Sequence, residues 1–378
     1  MAGSIGKGAG LRLERVRASA QWVDGAFRNP SHVVPGLRKG TAMPTIAEFL
    51  WGGQRRTPPR RLPSVDPRSG WVRTAETGLR VTWLGHSTVL VEIDGVRVLT
   101  DPVWSGRASP VSFAGPKRFQ PVPVPLSALP EIDAVIVSHD HYDHLDRKTI
   151  VEIARTRDVP FITSLGVGAH LEVWGVPGER ITELDWWESV ELRRGGVRIT
   201  AAPSQHFSGR AFGGRNATLW SSFVVRGPMH SVFFSGDTGL TPEYAEIGRR
   251  LGPFDLVMLE VGAFHLAWGD IHLGPENALK ALSLLGGGSL LPVHWGTFNL
   301  AMHAWDEPAE TLVELAPRHG SHVVMPRLGE PVEPSRAERI EPWWRALSSG
   351  KALPARVALE SSSADALPPS GALEWPID

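Results

Sequence analysis

The chain of 378 residues contains no cysteine. Disulfides, thiolate metal sites and cysteine nucleophiles are therefore excluded. Any transition-metal site has to be built from His, Asp and Glu. No run of about 18 apolar residues occurs, so no membrane-spanning helix is expected. The N-terminus carries scattered basic residues but no continuous apolar stretch, so no signal peptide is expected either. A cytoplasmic location, with peripheral membrane association left open, is the expectation. An excess of charge of either sign is also lacking: 39 Lys and Arg stand against 40 Asp and Glu, a formal net charge of −1. A general nucleic-acid binder needs a basic excess to neutralise phosphates, so no nucleic-acid partner is expected. Tyrosine is scarce, with 2 residues, whereas tryptophan is abundant, with 15. Trp suits interfaces as well as cores.

Composition divides the chain into three. Residues 1–75 are rich in Gly, Pro and Arg and read as an arm wrapping the core, with one short helix near 45–51. The basic cluster Arg55, Arg56, Arg60 and Arg61 reads as a solvated loop, or as a contact with an anionic surface. Residues 76–335 change character. Short β-branched runs at 80–84, 89–93, 96–100, 134–138, 161–164, 197–202, 222–225, 232–235, 256–260 and 290–294 read as strands. Asp94-Gly95 is a hairpin signal. Helical stretches at 147–157, 167–174, 242–251, 275–285 and 308–315 lie between strands, and three begin at a proline. Interleaved strands and helices predict a layered α/β domain. Residues 336–378 read as a partly flexible tail in which Glu341-Pro342-Trp343-Trp344 is a docking candidate.

The chemistry is concentrated in Ser138-His139-Asp140-His141-Tyr142-Asp143-His144-Leu145-Asp146, directly after the apolar run 134–137. Side chains alternate along a strand end, so His139 and His141 can face one ion. Asp143 and His144, in the turn beyond, can reach a second. More donors stand at other strand ends: His206, Asp237 and His294 each close an apolar run beside small residues. Asp237 is best placed to bridge, because a carboxylate can give one oxygen to each ion. All-His/Asp ligation admits zinc, manganese or iron, with zinc the first choice.

His-x-His-x-Asp-His followed by His, Asp and His resembles the metallo-β-lactamase superfamily. The resemblance implies an αβ/βα sandwich, two β-sheets flanked by helices. Val81-Thr82-Trp83-Leu84-Gly85-His86-Ser87-Thr88, Gly115-Pro116-Lys117-Arg118-Phe119, Leu184-Asp185-Trp186-Trp187-Glu188, Pro203-Ser204-Gln205-His206 and His294-Trp295-Gly296-Thr297-Phe298 look more narrowly like the N-acyl-phosphatidylethanolamine-hydrolysing phospholipase D group. A weaker echo lies at Phe27-Arg28-Asn29-Pro30. This resemblance implies two Zn2+ ions, one on His139, His141 and His206, the other on Asp143, His144 and His294. Asp237 and a water or hydroxide would bridge them. It also suggests a homodimer.

Two ions sharing a water lower its pKa enough to supply hydroxide near neutral pH. Asp143 is a candidate to orient that nucleophile as well as to ligate. His272 falls where the lipid-hydrolysing relatives carry a pocket histidine, and is a candidate to protonate the leaving group. His86, Asp101 and Asp146 are candidates for outer hydrogen bonds to ligands, and His265 and His303 for the pocket wall. The expected substrate is a small or lipid-like phosphodiester. A lactonase of the ascorbate-phosphate lactonase type is the alternative, and a short polar pocket would favour it. A metal-loaded protein without turnover is a third reading, against which the full ligand set argues.

Overall fold

Asp94 and Gly95 both adopt left-handed backbone, at φ +49° and +83°, which is what a two-residue hairpin turn needs. They fold strand Thr88–Ile93 against Val96–Thr100. The computed structural model describes residues 7–31, 55–210, 214–265, 268, 270–349 and 357–358. Around this hairpin grows a seven-stranded sheet in the order Pro331–Val332, Leu79–Gly85, Thr88–Ile93, Val96–Thr100, Ala134–Val137, Phe161–Ser164, Ile181–Leu184. The first four strands are antiparallel and the last three join in parallel. A six-stranded sheet faces it, in the order Ser289–Val293, Leu256–Glu260, Ser231–Phe234, Ser222–Arg226, Arg198–Ala202, Ser189–Glu191. There the first three strands are parallel and the rest antiparallel.

Strands such as Ala134–Val137 and Leu256–Glu260 are buried at every position, the mark of sheets covered on both faces. Val81, Val91, Ile136, Phe223, Phe234 and Met258 belong to the core that joins the two sheets. On the outer side of the seven-stranded sheet, Leu90, Leu99 and Val135 pack with Ile150 and Ile153 of helix Arg147–Thr156. Helices Glu243–Leu251, Gly274–Leu284 and Glu307–Leu315 bury Ile247, Leu279 and Leu312 in the core. Helix, sheet, sheet and helix follow one another, the layered α/β arrangement expected from the pattern and the layer order that the family resemblance implies. Among the described residues no helix is long and apolar enough to cross a membrane.

Among the elements that the sequence pattern does not reveal, three bear on the architecture. Helix Lys7–Ala18 contains two glycines and little amphipathic pattern. It docks by tertiary contacts, with Val16 buried and Arg12 bonded to Glu172 at 2.9 Å and Glu183 at 2.5 Å. Strands Ile181–Leu184 and Ser189–Glu191 are half-exposed sheet edges whose mixed composition carries no clean alternation. The helix expected over 45–51 and the tail segments 361–366 and 368–371 lie outside the described residues. Trp343 and Trp344 are fully buried against Trp295, and Glu310 accepts from Trp344 Nε1 at 2.7 Å.

Candidate metal centre

Five loops converge at the C-terminal ends of strands, along one edge of the sandwich. Residues 138–146 leave strand Ala134–Val137. His206 follows Arg198–Ala202, Asp237 follows Ser231–Phe234, His294 follows Ser289–Val293 and His86 follows Leu79–Gly85. The backbone here is bent hard: His86, Asp101 and His294 sit at φ +55°, +34° and +64°, a region that costs energy without glycine. Gly236 is required by close approach, since a Cβ there would stand 2.7 Å from Ser138 Cβ. Its absence lets the Asp237 segment lie against the His139 run.

The side chains form two groups that share Asp237. Ring nitrogens of His139, His141 and His206 and a carboxylate oxygen of Asp237 lie within 4.8 Å of one another. Asp237 Oδ2 stands 3.8 Å from His139 Nε2 and 3.6 Å from His206 Nε2. On the other side, Asp237 Oδ1 is 3.1 Å from His144 Nε2 and 3.2 Å from His294 Nε2. Asp143 Oδ2 is 3.5 Å from the first of these and 3.3 Å from the second. The two oxygens of Asp237 therefore face different trios.

Outer contacts orient these rings. Asp101 is fully buried; its Oδ2 lies 2.7 Å from His144 Nδ1 and accepts from Ser138 Oγ at 2.6 Å. Ser138 Oγ in turn lies 3.0 Å from His139 Nδ1. His206 Nδ1 donates to Ile271 O at 2.9 Å, and Asn29 clasps the His206 backbone from both sides, at 2.8 and 3.1 Å. His86 Nε2 is 2.9 Å from Asp143 Oδ2, and a ring nitrogen of His86 groups with the donors of Asp143, His144 and His294. Asp146 is placed differently from the sequence expectation. It accepts from Lys148 N at the start of helix Arg147–Thr156 and from Ser105 N, Ser105 Oγ and Thr149 Oγ1, so it is a helix cap and loop anchor rather than a partner of a site histidine.

Electrostatics and orphaned atoms both fit a cation here. Burial pulls His139 and His206 well below the ordinary imidazole range, leaving neutral lone-pair donors. Burial also opposes charge on Asp143 and Asp237, yet His144 beside them holds both carboxyls well below their usual range. Against burial, Asp237 and Asp143 raise His144 well above its ordinary value and His294 to about 10. Without an ion, protonated imidazoles supply the positive charge that the carboxylates require. His144 Nε2, Asp237 Oδ1 and His294 Nε2 are buried and crowd to 3.1–3.2 Å without an aligned hydrogen bond, a costly arrangement for polar atoms that metal ligation relieves.

A cavity of about 360 Å³ opens on this cluster. His141, Asp143, His206, Asp237, His272 and His294 line its floor, and Phe207, Ala263, Trp268, Ile271 and Leu300 give it an apolar wall with Arg215 beside them. Sequence reasoning named His272 but missed this wall, and also Glu260. Glu260 closes strand Leu256–Glu260, is fully buried, and has Oε2 2.9 Å from His272 Nδ1. His265 stacks edge-on near the wall residue Trp268, with ring centroids 6.0 Å apart. His303 is not on this wall. Its Nε2 accepts from Ala263 N at 3.0 Å, its Nδ1 donates to Ala304 O at 2.8 Å, and its ring stacks on Phe264.

Fold and site together define a metal-dependent hydrolase, and the chain belongs to the β-lactamase superfamily: the family described as beta-lactamase superfamily domain matches residues 96–295. An uncharacterised protein of Mycobacterium tuberculosis is 51% identical over 332 residues, covering 86% of this chain and 88% of its own length. N-acyl-phosphatidylethanolamine-hydrolyzing phospholipase D 1 of Caenorhabditis elegans is 39% identical over 251 residues, 64% of this chain and 70% of that protein. Among solved structures, the metallo hydrolase Igni18 of Ignicoccus hospitalis superposes with a TM-score of 0.51 at 24% identity, over 67% of this chain and 97% of that one.

Proposed function

We propose that this hydrolase holds two divalent ions, zinc first among them, and cleaves phosphodiesters in the manner of a phospholipase D. N-acyl phosphatidylethanolamine-like or related diesters are the substrate class. The observation that carries the reading is the shared carboxylate: Asp237 Oδ1 faces His144 and His294 while Oδ2 faces His139 and His206. His139, His141, His206 and Asp237 would hold one ion, and Asp143, His144, Asp237 and His294 the other. Bound there, two such ions supply an activated water near neutral pH and polarise the scissile oxygen.

The chain's own residues do the rest. Asp143, bonded to His86, orients the attacking water. His272 borders the cavity 5.1 Å, ring to ring, from His206 and 5.4 Å from His294, within reach of a leaving oxygen. Phe207, Trp268, Ile271 and Leu300 exclude water and accept an apolar substituent. That wall favours the diester over the lactone, which a short polar pocket would suit. The name of the Caenorhabditis elegans relative supports the same class.

The test pits bis(p-nitrophenyl) phosphate and an N-acyl phospholipid against a simple lactone on one metal-loaded sample. Diester cleavage with slow lactone turnover is expected. Lactone cleavage alone would replace this reading with the lactonase.

A further inference from the structure

A carboxylate buried among apolar strands is expensive to keep charged unless its neighbours demand it. Glu260 has three donors arranged around two oxygens. Oε1 accepts from Thr238 N at 3.0 Å and Leu273 N at 3.1 Å, and Oε2 faces His272 Nδ1 at 2.9 Å. Thr238 follows Asp237 and Leu273 follows His272, so this one side chain ties the shared carboxylate's loop to the cavity histidine's loop. A ring nitrogen of His272 and an oxygen of Glu260 also group with Asp237 and His294 as candidate metal donors. Asp237 and His294 already serve the two sites above, and Glu260 is filled as an acceptor, so a third ion is not what Glu260 is for.

We propose that Glu260 is a positioning residue: it holds His272 by Nδ1 so that Nε2 is the edge turned to the cavity, and the pair lets the enzyme cleave diesters whose leaving group is a poorly leaving alkoxide. The proposal rests on the His272 role given above. The hydrogen bond at one ring nitrogen sets what the other can do. With Nδ1–H fixed on a carboxylate, Nε2 carries the proton to be donated, and the carboxylate stabilises the ring while it is charged. As the bond from phosphorus to the leaving oxygen breaks, one from phosphorus to the water oxygen forms. The leaving oxygen keeps the electron pair of the broken bond and takes the Nε2 proton, the attacking water releases a proton to solvent, and the imidazole regains one from solvent.

Glutamine has a single acceptor oxygen. In Glu260→Gln, either the Thr238 and Leu273 amides or His272 Nδ1 must face an NH2 group. If the amides keep the oxygen, Nδ1 becomes the acceptor and the neutral ring loses its acid function while still filling its place.

The experiment compares hexyl p-nitrophenyl phosphate, whose aryl leaving group departs unprotonated, with dihexyl phosphate, whose alkoxide does not. Metal content and thermal unfolding are read on the same samples. Glu260→Gln should lower kcat on dihexyl phosphate about 10²-fold or more, shift p-nitrophenolate release less than about threefold, and leave the metal content intact. His272→Ala should show the same selectivity, and the double variant should lose no more than either single one, as for residues acting as a unit. Equal loss on both diesters, no loss on either, or additive losses would overturn the proposal. Should Glu260→Gln fail to fold, Glu260→Asp, which keeps the charge, carries the same ratio in weaker form. If the metal-loaded wild-type protein cleaves neither diester, the phosphodiesterase reading falls, and the Glu260 contrast is read instead on p-nitrophenyl hexanoate against hexyl hexanoate.

Discussion

The two ends of the sandwich handle buried polar groups in opposite ways. At the far end the hairpin turn of the first sheet meets a turn of the second, and the buried carboxylate there is fully paired. Asp94 accepts from Met229 N at 2.9 Å, His230 N at 3.0 Å and His230 Nδ1 at 2.7 Å. A cavity of about 780 Å³ opens at that end, beside His230, Asp255 and Ser289. It is larger than the cavity at the candidate metal centre, yet among the described residues no cluster of candidate metal donors lies there. At the near end, by contrast, His86 Nδ1, His144 Nε2, Asp237 Oδ1 and both nitrogens of His294 are buried without an aligned hydrogen bond, and four non-glycine residues, His86, Asp101, Ala263 and His294, sit at positive φ, against Asp94 at the far turn. A buried carboxylate that closes the fold, such as Asp94, finds its partners within it. Polar groups kept unpaired on strained backbone mark the place where something else binds.

Breaking the near end should cost function, and breaking the far end should cost stability. Asp237→Ala removes the side chain that both trios share, so turnover should fall on the order of 10³-fold, about 4 kcal/mol of barrier. Metal content should fall with it in elemental analysis; full activity in this variant would remove the shared-carboxylate assignment. Next comes the pH dependence of metal uptake. In the metal-free protein His144 is held well above the ordinary imidazole value and His294 at about 10, so both are protonated at neutral pH. Ligation must displace those protons, about two of them. Zinc affinity should therefore weaken as pH falls, by up to about a hundredfold per unit. Calorimetry in buffers of different ionisation enthalpy measures the protons released, and their absence would contradict the charge balance described for the cluster.

Asp101→Ala unties His144 and the Ser138–His139 pair at once, and should weaken metal binding about 10–100-fold, read by competition with a chelating dye. At the far end, Asp94→Ala should lower unfolding stability by about 2 kcal/mol with metal content and rate unchanged. Burial pushes the Asp94 carboxyl up, but the His230 ring and the two backbone N–H groups hold it below its ordinary 3.8. Its stabilisation is thus present above that value and lost as pH falls through the lower folded one, so the difference between wild type and variant should vanish in acid. Asp146→Ala should cost a similar amount, about 2 kcal/mol, because the helix cap and the Ser105 and Thr149 bonds are lost together, without loss of metal; metal loss there would return Asp146 to the site.

Much of this was legible in the sequence, and what was not has physical reasons. The run from His139 to His144 is dense enough to read alone. His206, Asp237 and His294 are each a single polar residue closing an apolar strand, and only their joint convergence gives them meaning. Glu260 stands in the same kind of position, at the end of strand Leu256–Glu260, and that signal could have found it. It fits no ligand pattern because its partners are a backbone pair and a histidine 12 residues on. Asp146 looked like a site residue because it ends the dense run, whereas its job is fixed by the helix that begins one residue later. Helix Lys7–Ala18 was invisible because its stability comes from Arg12 and Val16 meeting distant partners rather than from its own pattern. The apolar wall of Phe207, Trp268, Ile271 and Leu300 comes from separate loops whose convergence no local spacing records.

The measurement that bears most directly on the central claim is the metal content of the purified protein by elemental analysis, before and after chelation and reconstitution with zinc, with bis(p-nitrophenyl) phosphate turnover followed on each sample. The account predicts about two divalent ions per chain, with metal and turnover lost together and regained together. Undiminished hydrolysis by metal-free protein, or a protein that takes up no metal on reconstitution, would contradict it.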